Sequence, residues 1–149
     1  SLRAAVDLSA IPELQVTVDC DVIQADGGTR TASICGGFVA LHDAFTRMIL
    51  KGQMENHPMS EELAAVSVGV IRGEVCLDLP YVEDSTAEVD LNVVMTGSGK
   101  FVEVQGTAED GPFDRNSLEE MLDVAESGIK EITEAQRELL SSPPGERAS

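Results

Sequence analysis

Two stretches of the chain carry side chains whose types and spacing suit chemistry on phosphates. The first is Asp26-Gly27-Gly28-Thr29-Arg30-Thr31-Ala32-Ser33, set between a strand-like and a helix-like pattern. Glycines let backbone N–H groups approach an anion, a helix N-terminus adds partial positive charge, and Thr29 and Arg30 bring a hydroxyl and a guanidinium. Such a combination is a cradle for phosphate. The second is Glu83-Asp84-Ser85-Thr86-Ala87-Glu88-Val89-Asp90, where acids gather just before and at the start of a strand. Asp90 shares its strand face with Asn92, opposite Val89 and Leu91, and Asp84 stands on the preceding loop, free to fold toward it. Two carboxylates converging there suit Mg²⁺, which takes one or two carboxylates and completes its shell with water and substrate phosphate.

Each stretch also has a plainer reading. Gly-rich turns before helices are common, so Thr29 can be an ordinary N-cap and Arg30 a member of a surface ion pair; the acids can be a solvated loop. The glycines are not in Walker A order, which argues against a nucleotide-triphosphatase loop. Neither His42 nor His57 has a partner at metal-ligand spacing, so each reads as a core or surface histidine. Cys20, Cys35 and Cys76 lie far apart without a C-x-x-C pair and read as small buried hydrophobes rather than a disulfide or zinc framework.

These residues must be positioned by regular elements. Residues 14–23 alternate Leu14, Val16, Val18, Cys20 and Val22 with polar neighbours, which predicts a half-buried strand. From Arg30 to Leu50 apolar residues recur three or four apart, predicting a helix that opens at the glycine turn. Residues 51–60 read as a loop, and 63–72 and 74–79 as β-rich runs broken at Gly73. Residues 89–96 and 101–105, joined through Gly97-Ser98-Gly99, predict a hairpin, and 118–139 an amphipathic helix with Asp114 or Asn116 as N-cap. The first dozen residues look like the tail of a helix whose start lies elsewhere. The order β-α-β-β-β-β-α predicts an α+β fold, a mostly antiparallel or mixed sheet with helices packed on one face. Residues 1–140 then form one unit and 141–149 a flexible tail.

At 149 residues with 42% hydrophobic composition the chain is of one-domain size and able to bury a core. No run approaches a membrane span and the first residues lack the layout of a secretory signal, so a cytoplasmic location and no membrane partner are expected. The net charge of −17 opposes unaided nucleic-acid binding, which normally uses Lys and Arg on phosphates.

At its two motifs the sequence closely resembles the ribonuclease PH family of phosphorolytic 3′-to-5′ exoribonucleases. The strings DCDVIQADGGTRTASI (19–34), LDLPYVEDSTAEVDLNVVMTG (77–97) and FVEVQGTAEDGPF (101–113) are similar to that family's C-terminal portion in order and spacing. The resemblance implies half of a ribonuclease PH-type domain, a ribosomal protein S5 domain 2-like fold. It also implies trimming of RNA 3′ ends, transfer-RNA precursors above all, with inorganic phosphate as co-substrate and nucleoside diphosphates as products. Gly28, Thr29 and Arg30 match the family's phosphate-binding triplet, and Asp84 and Asp90 its acidic pair, which implies Arg30, Asp84 and Asp90 as catalytic residues and Mg²⁺ on the two aspartates. One carboxylate, Asp84 for instance, is alternatively a general acid.

Departures sharpen the resemblance. Polynucleotide phosphorylases carry a basic residue near the position of Asn92 and a serine-rich phosphate turn without an arginine, so the chain looks like the ribonuclease PH branch. Leu91 stands where Met is usual, a change absorbed by packing. The family's N-terminal half, with its arginine-bearing RNA contacts, precedes the point where SLRAAVDL begins. The expected partners are therefore an RNA 3′ end and a second chain that supplies this half, in a ring-shaped hetero-oligomer. A naturally split enzyme is favoured over a fragment, because half a core would stand exposed if the chain were made alone. The alternative is a non-catalytic ring subunit of an exosome-like assembly, against which the retention of Arg30, Asp84 and Asp90 argues.

Overall fold

A computed structural model describes residues 1–147. After two short 3₁₀ turns at Leu2–Ala5 and Leu8–Ala10 come α1 (Thr29–Leu50), β1 (Leu63–Ile71), β2 (Glu74–Leu77), α2 (Tyr81–Asp84), β3 (Val89–Thr96), β4 (Phe101–Ala108) and α3 (Arg115–Leu140). The four strands form one sheet in the order β2-β1-β3-β4, antiparallel at every pairing.

Local chemistry sets the boundaries. Gly28, at φ 68°, turns the chain into α1, and Thr31 Oγ1 donates to its carbonyl at 2.8 Å. At the other end Gly52 (φ 69°) closes α1: its N–H reaches the Ile49 carbonyl while Gln53 N–H reaches that of Met48, a paired C-terminal cap. Arg72 and Gly73 both have positive φ, the two-residue turn whose twist matches a β1–β2 hairpin. Asp114, one of the two expected caps, accepts from Ser117 N–H at 2.9 Å and starts α3.

Alternation along β1 divides the core. Ala64, Val66 and Val68, with Leu91, Val93 and Met95 of β3, pack against Met121, Ala125 and Ile129 of α3. Leu63, Ala65 and Val94 point the other way and meet Phe38, Leu41 and Phe45 of α1. Because β2 pairs only with residues 68–71, the first half of β1 has a free edge, and the Cys35 thiol of α1 lies against it, 3.3 Å from Ala65 N and 3.2 Å from Ala65 O.

The strand predicted at 14–23 does not form. The segment makes no ladder, and residues 15–24 have no backbone–backbone hydrogen bonds among the described residues. Alternating side chains specify a strand only where another strand takes up its N–H and C=O groups, and here none does. Leu14, Val16, Val18 and Val22 are consequently exposed. The reading of the cysteines is corrected as well: all three are free, but Cys20, in this unpaired segment, is exposed, and Cys35 of α1 and Cys76 of β2 are only half-buried. His42 and His57 stack on each other with ring centroids 4.1 Å apart, a pairing across a loop that spacing does not reveal. Past α3 the chain turns back, and the Arg147 guanidinium grips Asp43 of α1 at 2.7 and 2.9 Å. The end of the expected flexible tail, 148–149, lies outside the described residues.

Candidate functional site

The glycine turn and the acidic segment are one assembly, joined by Asp26. One carboxylate oxygen of Asp26 accepts from Gly27 N–H at 2.8 Å and from Tyr81 N–H, the first residue of α2, at 2.6 Å. These two donors hold the Asp26 carboxyl below the usual range, the Tyr81 bond contributing most. Gly27 packs so tightly on the 79–80 backbone that a Cβ would come within 1.9 Å of the Leu79 carbonyl oxygen, so the first glycine is required by contact and the second by its backbone angle. Thr29 Oγ1 donates to Asp26 O at 2.8 Å, which closes the turn on itself.

Asp84 ends the single turn of α2, a helix not anticipated from sequence because four residues are too few to show a period. Asp90 lies near the start of β3, half-buried, and its pKa is raised by burial first and then by the charges of Asp84 and Glu109. The aspartates therefore stand close enough to repel. Among the described residues no group of three or more His, Cys, Asp or Glu is placed to hold a metal, so Asp84 and Asp90 would hold one only with water and phosphate completing its shell. Two hard oxygen donors fit Mg²⁺, which leaves most of its shell to water and phosphate.

The register lays out the surface beneath. Across β1, β3 and β4 run three rows on one face: Gly69, Asp90 and Thr107; then Ser67, Asn92 and Gln105; then Ala65, Val94 and Glu103. Asn92 does share the face of Asp90, as its spacing indicated. Arg30 reaches the third row, where its guanidinium forms an ion pair with Glu103. Glu103 lies four residues from Thr107 along β4, about 13 Å at ~3.3 Å per residue. The structure thus brings Gly28 and Thr29 to the helix carrying Asp84, and Asp84 to Asp90, while the Arg30 side chain is held by Glu103. The clasp made by Asp26 and the ion pair made by Glu103 are what sequence reasoning missed. Asp26 had a local signal, since Asp-Gly favours a side chain folding back on its own backbone.

This α+β arrangement, with helices packed against an antiparallel sheet, has counterparts among solved structures. Rice (Oryza sativa) Rrp46 matches with a TM-score of 0.62 over 80% of this chain and 51% of its own, at 17% identity, a likeness of fold alone. In sequence, a ribonuclease PH of Corynebacterium kroppenstedtii is 57% identical over 143 residues, 96% of this chain and 56% of the relative. The model of the 3′ exoribonuclease family, domain 1, matches residues 1–46, and that of domain 2 matches residues 62–128. The chain belongs to the 3′ exoribonuclease family, in which ribonuclease PH is found. It spans about half the length of the curated relative it matches.

Proposed function

We propose that this chain is the phosphate- and metal-binding part of a phosphate-dependent exoribonuclease that trims RNA 3′ ends, transfer-RNA precursors among them, and releases nucleoside diphosphates. It works with a second chain or segment that supplies the N-terminal half and the cationic RNA contacts, within a ring-shaped hetero-oligomer. One observation carries the reading: the Asp26 carboxylate holds the N-terminus of α1 and the helix bearing Asp84 together, so that an anion cradle and an acid pair serve a common substrate.

In this reading inorganic phosphate sits at the leading end of α1 against the N–H groups after Gly28, that of Thr29 among them, and the Arg30 guanidinium, while the Thr29 hydroxyl holds the turn closed on the Asp26 carbonyl. One phosphate oxygen attacks the phosphorus of the terminal phosphodiester. The new P–O bond forms as the bond to the preceding ribose 3′-oxygen breaks; that oxygen takes a proton and leaves as the shortened RNA, and the released nucleoside carries two phosphates. Asp84 and Asp90 would hold Mg²⁺, which when bound neutralises charge on the scissile phosphate. The surface pair of Arg30 and Glu103, with side chains 49% and 30% exposed, is worth little in water, so a multiply charged anion can draw the guanidinium away.

The assay combines the chain with the portion of the Corynebacterium kroppenstedtii ribonuclease PH that it does not match, an RNA with a free 3′ end, and phosphate. Nucleoside diphosphates that form only when phosphate is present are the expected result; monophosphates formed equally without phosphate refute phosphorolysis. Arg30→Ala raises the KM for phosphate more than that for RNA. The engagement of Arg30 by Glu103 favours a second reading, a non-catalytic ring subunit, and that reading stands if the complex assembles but releases no nucleotide.

A further inference from the structure

We infer that Asn92 and Gln105 read the ribose of the RNA's 3′-terminal nucleotide, taking its hydroxyls on a pair of facing amides; this rests on the reading of the chain as a phosphate-dependent exoribonuclease. The two residues stand directly opposite each other on β3 and β4, on the sheet face that carries Asp90. At that spacing their Cβ atoms are about 5 Å apart, within reach of one sugar. Among the described residues neither side chain has a hydrogen-bond partner. Both are open to a ligand: Gln105 is exposed, and Asn92 is half-buried with no polar atom sealed from solvent. Val94, the next residue of this face along β3, packs beneath α1, so the amide pair begins where the cover of the helix ends.

Their row lies between the charged parts of the site. Asp90 is one row away along β3, about 6.6 Å at ~3.3 Å per residue, and Glu103, which holds the Arg30 guanidinium, is one row away along β4 on the other side. On β1 the row ends at Ser67, against which Gly28 of the turn packs. One row matches the step from a nucleotide's 5′-phosphate to its sugar hydroxyls, so a nucleotide with that phosphate at the acid pair and its sugar toward α1 lies over the amides. The chemistry of the pair selects the hydroxyls. A carboxamide offers two N–H donors and an acceptor oxygen without charge, and a ribose hydroxyl is likewise both donor and acceptor. A phosphate oxygen only accepts, and would leave each amide oxygen unused. The base projects from the face of the sugar opposite the two hydroxyls, so a floor that takes the hydroxyls leaves the base unread. Because the 2′-hydroxyl separates RNA from DNA, the pair confers selection for ribose.

The test uses the chain assembled with the unmatched portion of the Corynebacterium kroppenstedtii ribonuclease PH, phosphate, and two RNAs that differ in having ribose or 2′-deoxyribose at the last nucleotide. Release of the first nucleoside diphosphate is measured. The unaltered complex is expected to favour the ribose end about tenfold in kcat/KM, the scale of a lost hydrogen bond. Asn92→Ala and Gln105→Ala should each lower that preference about threefold or more by slowing the ribose end alone, and Gln105→Asn, which keeps the amide, should restore part of it. Gln105 is exposed, so its variants carry the test even if Asn92→Ala folds badly. A preference unchanged in both alanine variants, or a loss equal at both ends, overturns the assignment while phosphorolysis stands. So does a preference that follows the terminal base instead of the sugar. If the unaltered complex releases no diphosphate from either RNA, the proposed function falls and this inference with it.

Discussion

Asp90 is the residue at which stability and chemistry are opposed. Its carboxyl pKa is raised, so the folded chain binds a proton more readily than the unfolded one; the group's stabilising contribution is complete below the unfolded value and is lost as pH rises through the folded value. At neutral pH the ionised side chain therefore works against folding. Asp90→Asn in metal-free buffer should raise Tm by about 2 °C, a modest figure because water screens a half-exposed group. The same change should nearly abolish turnover in the assembled enzyme. Added Mg²⁺ should stabilise the unaltered chain and not the variant, and equal stabilisation of both by differential scanning calorimetry would remove Asp90 from the metal site. Glu103 offers a complementary test. With Glu103→Gln the Arg30 guanidinium loses its resting partner, and KM for phosphate should fall by up to about fivefold, the scale of an exposed ion pair. An increase would mean that Glu103 orients Arg30 rather than restraining it.

Among the elements, the loop joining α1 to β1 is held by the histidine pair. His57 Nδ1 accepts from Met59 N–H at 3.2 Å and Nε2 lies 3.2 Å from the His42 carbonyl oxygen, so both ring nitrogens are used by the neutral form. Burial first, and then the neighbouring imidazole, lowers the His42 pKa, while Asp43 and Glu62 oppose the shift. The unfolded chain then binds the proton more readily, and the stability present above the ordinary histidine value is lost as pH falls through it. Between pH 7.5 and 5.5 the unfolding free energy should decline by no more than about 1.4 kcal/mol per unit, and His42→Gln should flatten the slope. Urea titrations at three pH values measure this, and an unchanged slope would locate the dependence elsewhere. The long elements, α1, α3 and the β3–β4 hairpin, were legible in sequence because their periods repeat often enough to stand out. Residues 14–23 show the limit: alternation there is clear, but a strand needs a partner, and the sequence of the strand itself does not say whether one is present. The site was legible in the same degree. Gly28, Thr29, Asp84 and Asp90 sit in contiguous motifs, whereas Glu103 lies 73 residues from Arg30 and nothing local ties the two.

For the molecule as a whole, charge and exposed apolar surface together define what it lacks. A net charge of −17 opposes holding RNA by its phosphates, since Lys and Arg normally neutralise those phosphates and release the counterions condensed on the nucleic acid; in the proposed reading those cations come from the second segment. The segment 14–23 presents Leu14, Val16, Val18 and Val22, and residues 15–24 make no backbone–backbone hydrogen bonds among the described residues. Such an edge recruits a strand. In the chain alone, amide hydrogens of residues 15–24 should exchange close to the unprotected rate, while those of β1 and β3 stay protected, and light scattering should report a mass that grows with concentration. On mixing with the unmatched portion of the Corynebacterium kroppenstedtii ribonuclease PH, alternate amides of 15–24 should become protected, the signature of one new ladder, and the mass should settle at a fixed value. A stable monomer whose 15–24 amides are already protected would show that this segment finds its partners within the chain, and the case for a complementing half would then rest on charge alone.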